Sequence, residues 1–250
     1  MFTQAITTNI IIDVLESMLL KFDIRLKDYH RDILAILIPS IAFRDGHIII
    51  LASTIRAIDK VIKRRNDKLS FTRMLLAINM ISDIDKYGTI SIPLAWILNK
   101  LEVKKDIIHP KETKISKKIL YKSPTVLMVS QFLANFGVPK YLSVPIVNIV
   151  IELFSWDLQE EYKIVQRANV AFKGYKMSDT KAILKTLQVE KILLSTLVLL
   201  ALSYLPFNLR SPLILVSVLS ELYEVFMAIY KTKSYKGFLL EGYYGRDNEE

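Results

Sequence analysis

The sequence predicts an all-α fold: two five-helix repeats followed by one extra C-terminal helix. Three observations predict it. Apolar residues recur at three- and four-residue spacing along most of the 250-residue chain. Seven glycines and eight prolines are too few for the frequent turns of an all-β protein. Landmarks of the first half also return in the same order in the second: Leu19-Leu20-Lys21-Phe22-Asp23-Ile24 is echoed by Leu133-Ala134-Asn135-Phe136-Gly137-Val138, and the start at Ser70-Phe71-Thr72 by Met177-Ser178-Asp179-Thr180. This divides the chain into a first repeat (1–103), a basic linker (104–122), a second repeat with the additional helix (123–231) and a tail (232–250).

The first helix covers 4–20, with Ile6, Ile10, Val14, Leu15, Met18 and Leu19 on its buried side. Asp28 caps a second over 29–42, ended by Pro39 and the break at Arg44-Asp45-Gly46. From His47 a third helix is apolar nearly all round at first and basic later, which predicts a central position with one end in solvent. A fourth runs from Ser70 to about Ile81, Gly88 turns the chain, and a fifth spans Ile92 to Leu101. Residues 103–122 are rich in Lys, contain Pro110 and read as a linker. Ser123-Pro124 then opens a helix cleanly, Gly137 stops it, and Pro139 starts the next, 140–155. Helices over 158–173, from Thr180, and over 190–205 complete the second repeat. Pro206 and Pro212 bracket a turn before the extra helix, 213–231.

Composition bounds the chemistry. About half the residues are apolar, so a sizeable core is available. The absence of cysteine excludes disulfides, thiolate catalysis and cysteine-ligated zinc or iron–sulfur sites. A formal charge of +9 favours an anionic partner, nucleic acid or an acidic protein surface. Abundant Ile, Lys and Glu suit a thermophile. The amino terminus lacks the basic and apolar regions of a signal peptide.

Two five-helix units, Lys122-Ser123-Pro124 opening the second, Phe136-Gly137-Val138 closing its first helix, and Thr72 and Thr180 ahead of the fourth helices together resemble the core of transcription factor IIB and archaeal transcription factor B. The resemblance covers roughly residues 5–205 and implies cyclin-like repeats, a transcription-regulation role and DNA or transcription proteins as partners. Leu187-Gln188-Val189 falls where that family has a helix-turn-helix turn, and Arg44-Asp45-Gly46-His47 is the nearest match to its lead into the third helix. The chain departs from the family in having no zinc ribbon. Leu193 to Leu205 is also almost purely apolar, so it cannot present Arg, Asn or Gln to base edges and is expected to lie beneath helix 213–231.

Two basic clusters are the candidate sites for nucleic-acid phosphates or an acidic partner. Arg56, Lys60, Lys63, Arg64, Arg65 and Lys68 crowd the end of the third helix, where they also complement its dipole. Lys104, Lys105, Lys111, Lys114, Lys117, Lys118 and Lys122 lie in the linker, with no helix end to neutralise. The kinase-like His30-Arg31-Asp32 lacks the required Asn, with Leu37 in its place, and no Gly-rich loop accompanies it. His30, His47 and His109 are too scattered for a metal site, and Asp83 and Asp85 read as a solvated turn. The expectation is a non-enzymatic, cytoplasmic binding protein with no cofactor, metal or small-molecule substrate, and with no membrane partner. Two alternatives stay open: a cyclin-box-type scaffold subunit, and a membrane-associated protein with a helical hairpin over 192–230, because 192–209 carries no charge and 212–220 adds a second apolar run.

Overall fold

The computed structural model describes residues 1–65, 70–82, 91–108, 114–155, 158–205 and 207–244. It is mostly helical, as expected. The helices are α1 (Phe2–Leu20), α2 (Asp28–Ala42), α3 (Gly46–Arg65), α4 (Phe71–Ser82), α5 (Ile92–Asn99), α6 (Ser123–Ala134), α7 (Lys140–Ser155), α8 (Leu158–Arg167), α9 (Thr180–Ser203) and α10 (Phe207–Tyr244). Strands β1 (Glu102–Ile108), β2 (Lys114–Lys118) and β3 (Ala171–Phe172) form one antiparallel sheet in the order β2-β1-β3.

Several boundaries differ from the sequence reading for identifiable reasons. The stretch read as a linker holds a β-hairpin, with Lys104 opposite Ser116 and Lys105 opposite Ile115. Burial along β1 alternates at a strand period, with Val103, Lys105 and Ile107 turned to one face and Lys104, Asp106 and Ile108 to the other. Residues 158–173 hold a shorter helix followed by β3. The helices expected from Thr180 and over 190–205 are one, α9, since nothing between them breaks helical geometry. Pro39, Pro145 and Pro212 lie inside α2, α7 and α10.

The echo between Leu19–Ile24 and Leu133–Val138 corresponds to a shared helix ending. Asp23 and Gly137 both take left-handed φ, 59° and 82°. Ile24 N–H then donates to the Leu19 carbonyl at 3.0 Å, and Val138 N–H to that of Leu133 at 3.3 Å. The two endings lie at opposite ends of the molecule. Near one end, Phe22 packs on Phe154 and Lys60 reaches Asp28 at 3.3 Å. Near the other, Phe132 packs on Phe43, and Asn79 donates to Thr3 Oγ1 at 3.2 Å. The first end also carries the hairpin, α8 and the basic end of α3. It is called the charged end below. Among the described residues, the basic ones placed by the chain at the other end are Arg44, Lys140 and Arg210.

α1 lies at the centre, packed against α2, α3, α4, α6 and α7. α10 packs on α4, α5 and α6, and α9 packs on α7 and α8. The extra helix therefore does not cover α9 as expected. Nor is the third helix central: it packs on α1, α2 and α4, and leaves Ile50, Ile58 and Val61 exposed.

Candidate functional site: a charged cavity inside the bundle

The bundle buries polar groups within an apolar core that includes Val144, Val147 and Ile151 of α7, yet it also turns apolar stripes outward. On α7, the outward residues are Leu142, Ile146, Ile149 and Leu153, one stripe at four-, three- and four-residue steps. The buried side of the same helix carries Ser143, Asn148 and Glu152. α9 repeats this arrangement: Leu193, Leu194 and Leu197 are exposed, while Gln188, Lys191 and Ser195 are buried. Leu219, Tyr223, Phe226 and Tyr230 form a similar outward stripe on α10. In water, burial of apolar surface orders these faces the other way.

The buried polar groups hold the helices to one another. Glu152 is 1% exposed, and its Oε2 lies 2.6 Å from Lys191 Nζ, joining α7 to α9. One turn away, Asn148 Nδ2 donates to Ser195 Oγ and Thr196 Oγ1, each at 2.8 Å. Asn9 in α1 donates to the Ala52 carbonyl of α3 at 3.1 Å. Arg73 pairs with Glu221, joining α4 to α10, and Ser211 Oγ lies 3.4 Å from the Met80 carbonyl. Such contacts are strong in a dry interior and costly to leave unmade.

Two cavities lie end to end along α1. The first, about 100 Å³, sits toward the charged end among α1, α4, α6, α7 and α10, with Asp13, Arg73, Lys122 and Glu221 on its walls. Lys122 precedes α6. Burial first, and Arg73 after it, push its ammonium down to about 8. The second cavity, about 360 Å³, lies toward the other end; among the described residues its wall carries no charged side chain, and Thr7, Gln131 and Asn135 stand there among apolar residues such as Phe43 and Phe132. Ile10, Leu76 and Val218 close the first cavity toward the second, and Met80, Leu127 and Ile214 close the second toward the first; all six are buried. Leu76 and Met80, and likewise Val218 and Ile214, are four positions apart on their helices, so the septum is roughly 6 Å thick.

The basic clusters singled out from the sequence are mostly paired within the chain. Arg56 is buried and lies 3.4 Å from Asp13. Lys63 approaches Asp59 at 3.3 Å, and Lys60 reaches Asp28 and Asp32. Arg64 and Arg65 end α3, and Lys68 lies outside the described residues, as do Lys111, His109, Asp83 and Asp85. In the hairpin, Lys104 pairs with Glu102, Lys105 with Glu190, Lys114 with Asp106, Lys117 with Glu161 and Lys118 with Glu224. Five lysines of this run thus each lie near a carboxylate of the protein itself. Lys122 stands apart, inside the first cavity.

Sequence reasoning missed Asp13, Arg73, Asn148, Glu152, Lys191 and Glu221. A usable signal was a lone carboxylate in the apolar run Ile149-Val150-Ile151-Glu152-Leu153-Phe154, with Asn148 one turn before it on the same face.

Two solved structures are similar over most of the chain. One, described as the structure of a protein-conducting channel, matches with a TM-score of 0.62 at 12% identity, covering 89% of this chain and 80% of that one. The other, from work on the plug domain of the SecY protein and the closed state of its translocation channel, matches with a TM-score of 0.62 at 11% identity, covering 89% and 81%. No family model and no curated protein matches. At these identities the likeness is one of fold, and the fold is that of SecY. The resemblance to transcription factor B is therefore overturned, and the transcription and DNA-binding role goes with it. The expectation of a cytoplasmic protein without a membrane partner is corrected as well. Met177–Ser203 and Ser211–Tyr230 are long and apolar enough to cross a membrane, with mean hydropathies of 1.5 and 1.8. Of their spanning windows, 39% and 33% are buried.

Proposed function

We propose that this chain is an integral membrane protein that works as a protein-conducting channel, or a component of one, with an unfolded polypeptide as its passenger. The observation that carries the reading is the pairing of outward apolar stripes with hydrogen-bonded and ionic pairs buried in the core. Lipid imposes that order, because it solvates methyl groups and leaves backbone and charged groups to find partners within the protein.

The end-to-end cavities suit a closed conduit. Polar or charged side chains stand among apolar ones on their walls, and one apolar layer separates them. Such a layer blocks ions while remaining soft enough to part around a chain, since it is held by packing and not by hydrogen bonds across it. No bond-making chemistry is assigned to these residues, and the protein is proposed to act without catalysis.

The test uses the full chain reconstituted into phospholipid vesicles. Wild-type protein is expected to float with the vesicles, to resist alkaline extraction, and to leave them tight to ions. Exchanging Leu76 and Met80 together for Ser is expected to raise ion leakage severalfold, because it hydrates the septum from both sides. Extraction of wild-type protein by alkali would overturn the membrane reading. A tight Leu76→Ser/Met80→Ser variant that still floats would overturn the conduit.

A further inference from the structure

The cavity nearer the charged end holds one cation too many. Asp13 on its wall is engaged by Arg56 at 3.4 Å and Lys63 at 3.8 Å. Glu221 is engaged by Arg73. Beyond the wall, Lys191 pairs with Glu152 Oε2 at 2.6 Å. Lys122 has no carboxylate within ion-pair distance among the described residues, and its Nζ lies 4.9 Å from the centre of its neighbour's ring, Tyr121. A lysine brought into a largely apolar cavity without a counter-ion is costly, and it is stabilised by any ligand that supplies one.

The remaining wall gives the shape of that ligand. Val14 and Met18 of α1 face the cavity together with Ile151 and Phe154 of α7. Next to Phe154, the outward stripe of α7 begins with Leu153 and continues to Ile149 and Ile146. We propose that the cavity binds the head of an anionic amphiphile, a single negatively charged group on an aliphatic chain, with Lys122 as its counter-ion. A volume of about 100 Å³ takes the head and the first methylenes. A longer chain leaves between α1 and α7 onto the aliphatic stripe.

The site rests on the membrane reading, which places such molecules beside α7. A phospholipid phosphate and a fatty-acid carboxylate share this chemistry. Binding is expected to tighten as pH falls through about 8, where Lys122 takes up its proton. The other titratable groups facing it are Tyr121 beside it, Asp13 from α1, Arg73 from α4, Glu152 from α7, Lys191 from α9 and Glu221 from α10.

The experiment is native mass spectrometry of the full chain, released from vesicles in neutral detergent and titrated with four probes. These are oleate, dioleoyl phosphatidylglycerol, dioleoyl phosphatidylcholine, and an apolar peptide with one acidic side chain. One or both anionic lipids are expected to bind in preference to phosphatidylcholine, and which of them binds identifies the source of the head group. Lys122→Gln is expected to weaken that binding about tenfold or more. Lys122→Arg should keep it, and so should Lys114→Gln on the exposed hairpin. Equal retention of phosphatidylcholine, or unchanged binding in a folded Lys122→Gln variant, overturns the site. Binding of the peptide alone also overturns it and reassigns the cavity to a polypeptide. Failure to recover the chain from vesicles is a separate result that counts against the membrane reading.

Discussion

At the scale of single residues, the pair of Glu152 and Lys191 is the most demanding contact in the bundle. Both side chains are buried, at 1% and 9% exposure. Neither charge has water to fall back on, so each is stabilised chiefly by the other. Lys191→Met alone strands the Glu152 carboxylate and is expected to destabilise the protein by roughly 3–5 kcal/mol. Adding Glu152→Gln removes the stranded charge and should recover most of that loss; thermal unfolding in detergent measures both. If the double variant is no better than the single one, the charges are not coupled as the geometry requires. Lys122 gives a second measurement, with a definite sign. Its pKa is lowered from 10.5 to about 8 in the folded protein, so between those values the unfolded chain holds the proton more tightly. Stability therefore rises with pH across that window and is lowest below 8. Lys122→Met should raise lipid-free stability at pH 7 by on the order of 3 kcal/mol, and the gain should vanish by about pH 10.5. A pH-independent gain would mean that Lys122 is not charged against the cavity.

Among the elements, α7 separates a membrane protein from a water-soluble one most directly. Its outward residue Ile149 is 40% exposed and lies in the middle of the stripe from Leu142 to Leu153. A lysine there faces lipid and is expected to cost roughly 2.5–3.5 kcal/mol of insertion. On the surface of a soluble protein the same change would stay within about 0.5 kcal/mol. Insertion yield of Ile149→Lys in membrane fractions decides between them, and normal recovery from the soluble fraction would refute the lipid-facing stripe. The elements also show what the sequence could disclose. Ser123-Pro124 and Gly137 marked both ends of α6 correctly, because caps and left-handed turns are local chemistry. The β-hairpin was missed because a run of lysines masked its alternation. α9 was divided in two because a repeat was imposed where no breaker stood. Lys191 and Glu152 were passed over because their meaning depends on each other, at 39 positions' separation in the chain.

At the scale of the whole molecule, periodicity alone does not reveal what solvent surrounds the bundle. An amphipathic helix has the same spacing whether its apolar face turns inward or outward, so Leu193 and Leu197 read as core residues when they are surface residues. The echo of Leu19–Ile24 in Leu133–Val138 is a shared helix ending, and spacing along the chain does not show that the two endings fall at opposite ends of the molecule. Charge distribution carries the information that periodicity lacks. Of 34 Lys and Arg residues, those that the described chain places at the hydroxyl- and amide-lined end are Arg44, Lys140 and Arg210, while the hairpin, α8 and the end of α3 gather at the other. On the proposed membrane reading, where cytoplasmic loops carry the excess of Lys and Arg, the hairpin end is expected on the cytoplasmic side. Because the chain has no cysteine, single cysteines report sidedness without background. Ser116→Cys in β2 should be labelled by an impermeant maleimide only after the cells are opened. Asn135→Cys, at the end of α6, should be labelled in intact cells, or in spheroplasts where an outer envelope blocks the reagent. The reverse pattern would invert the orientation. Labelling of both positions only after lysis would place the whole chain inside the cell and remove the membrane reading altogether.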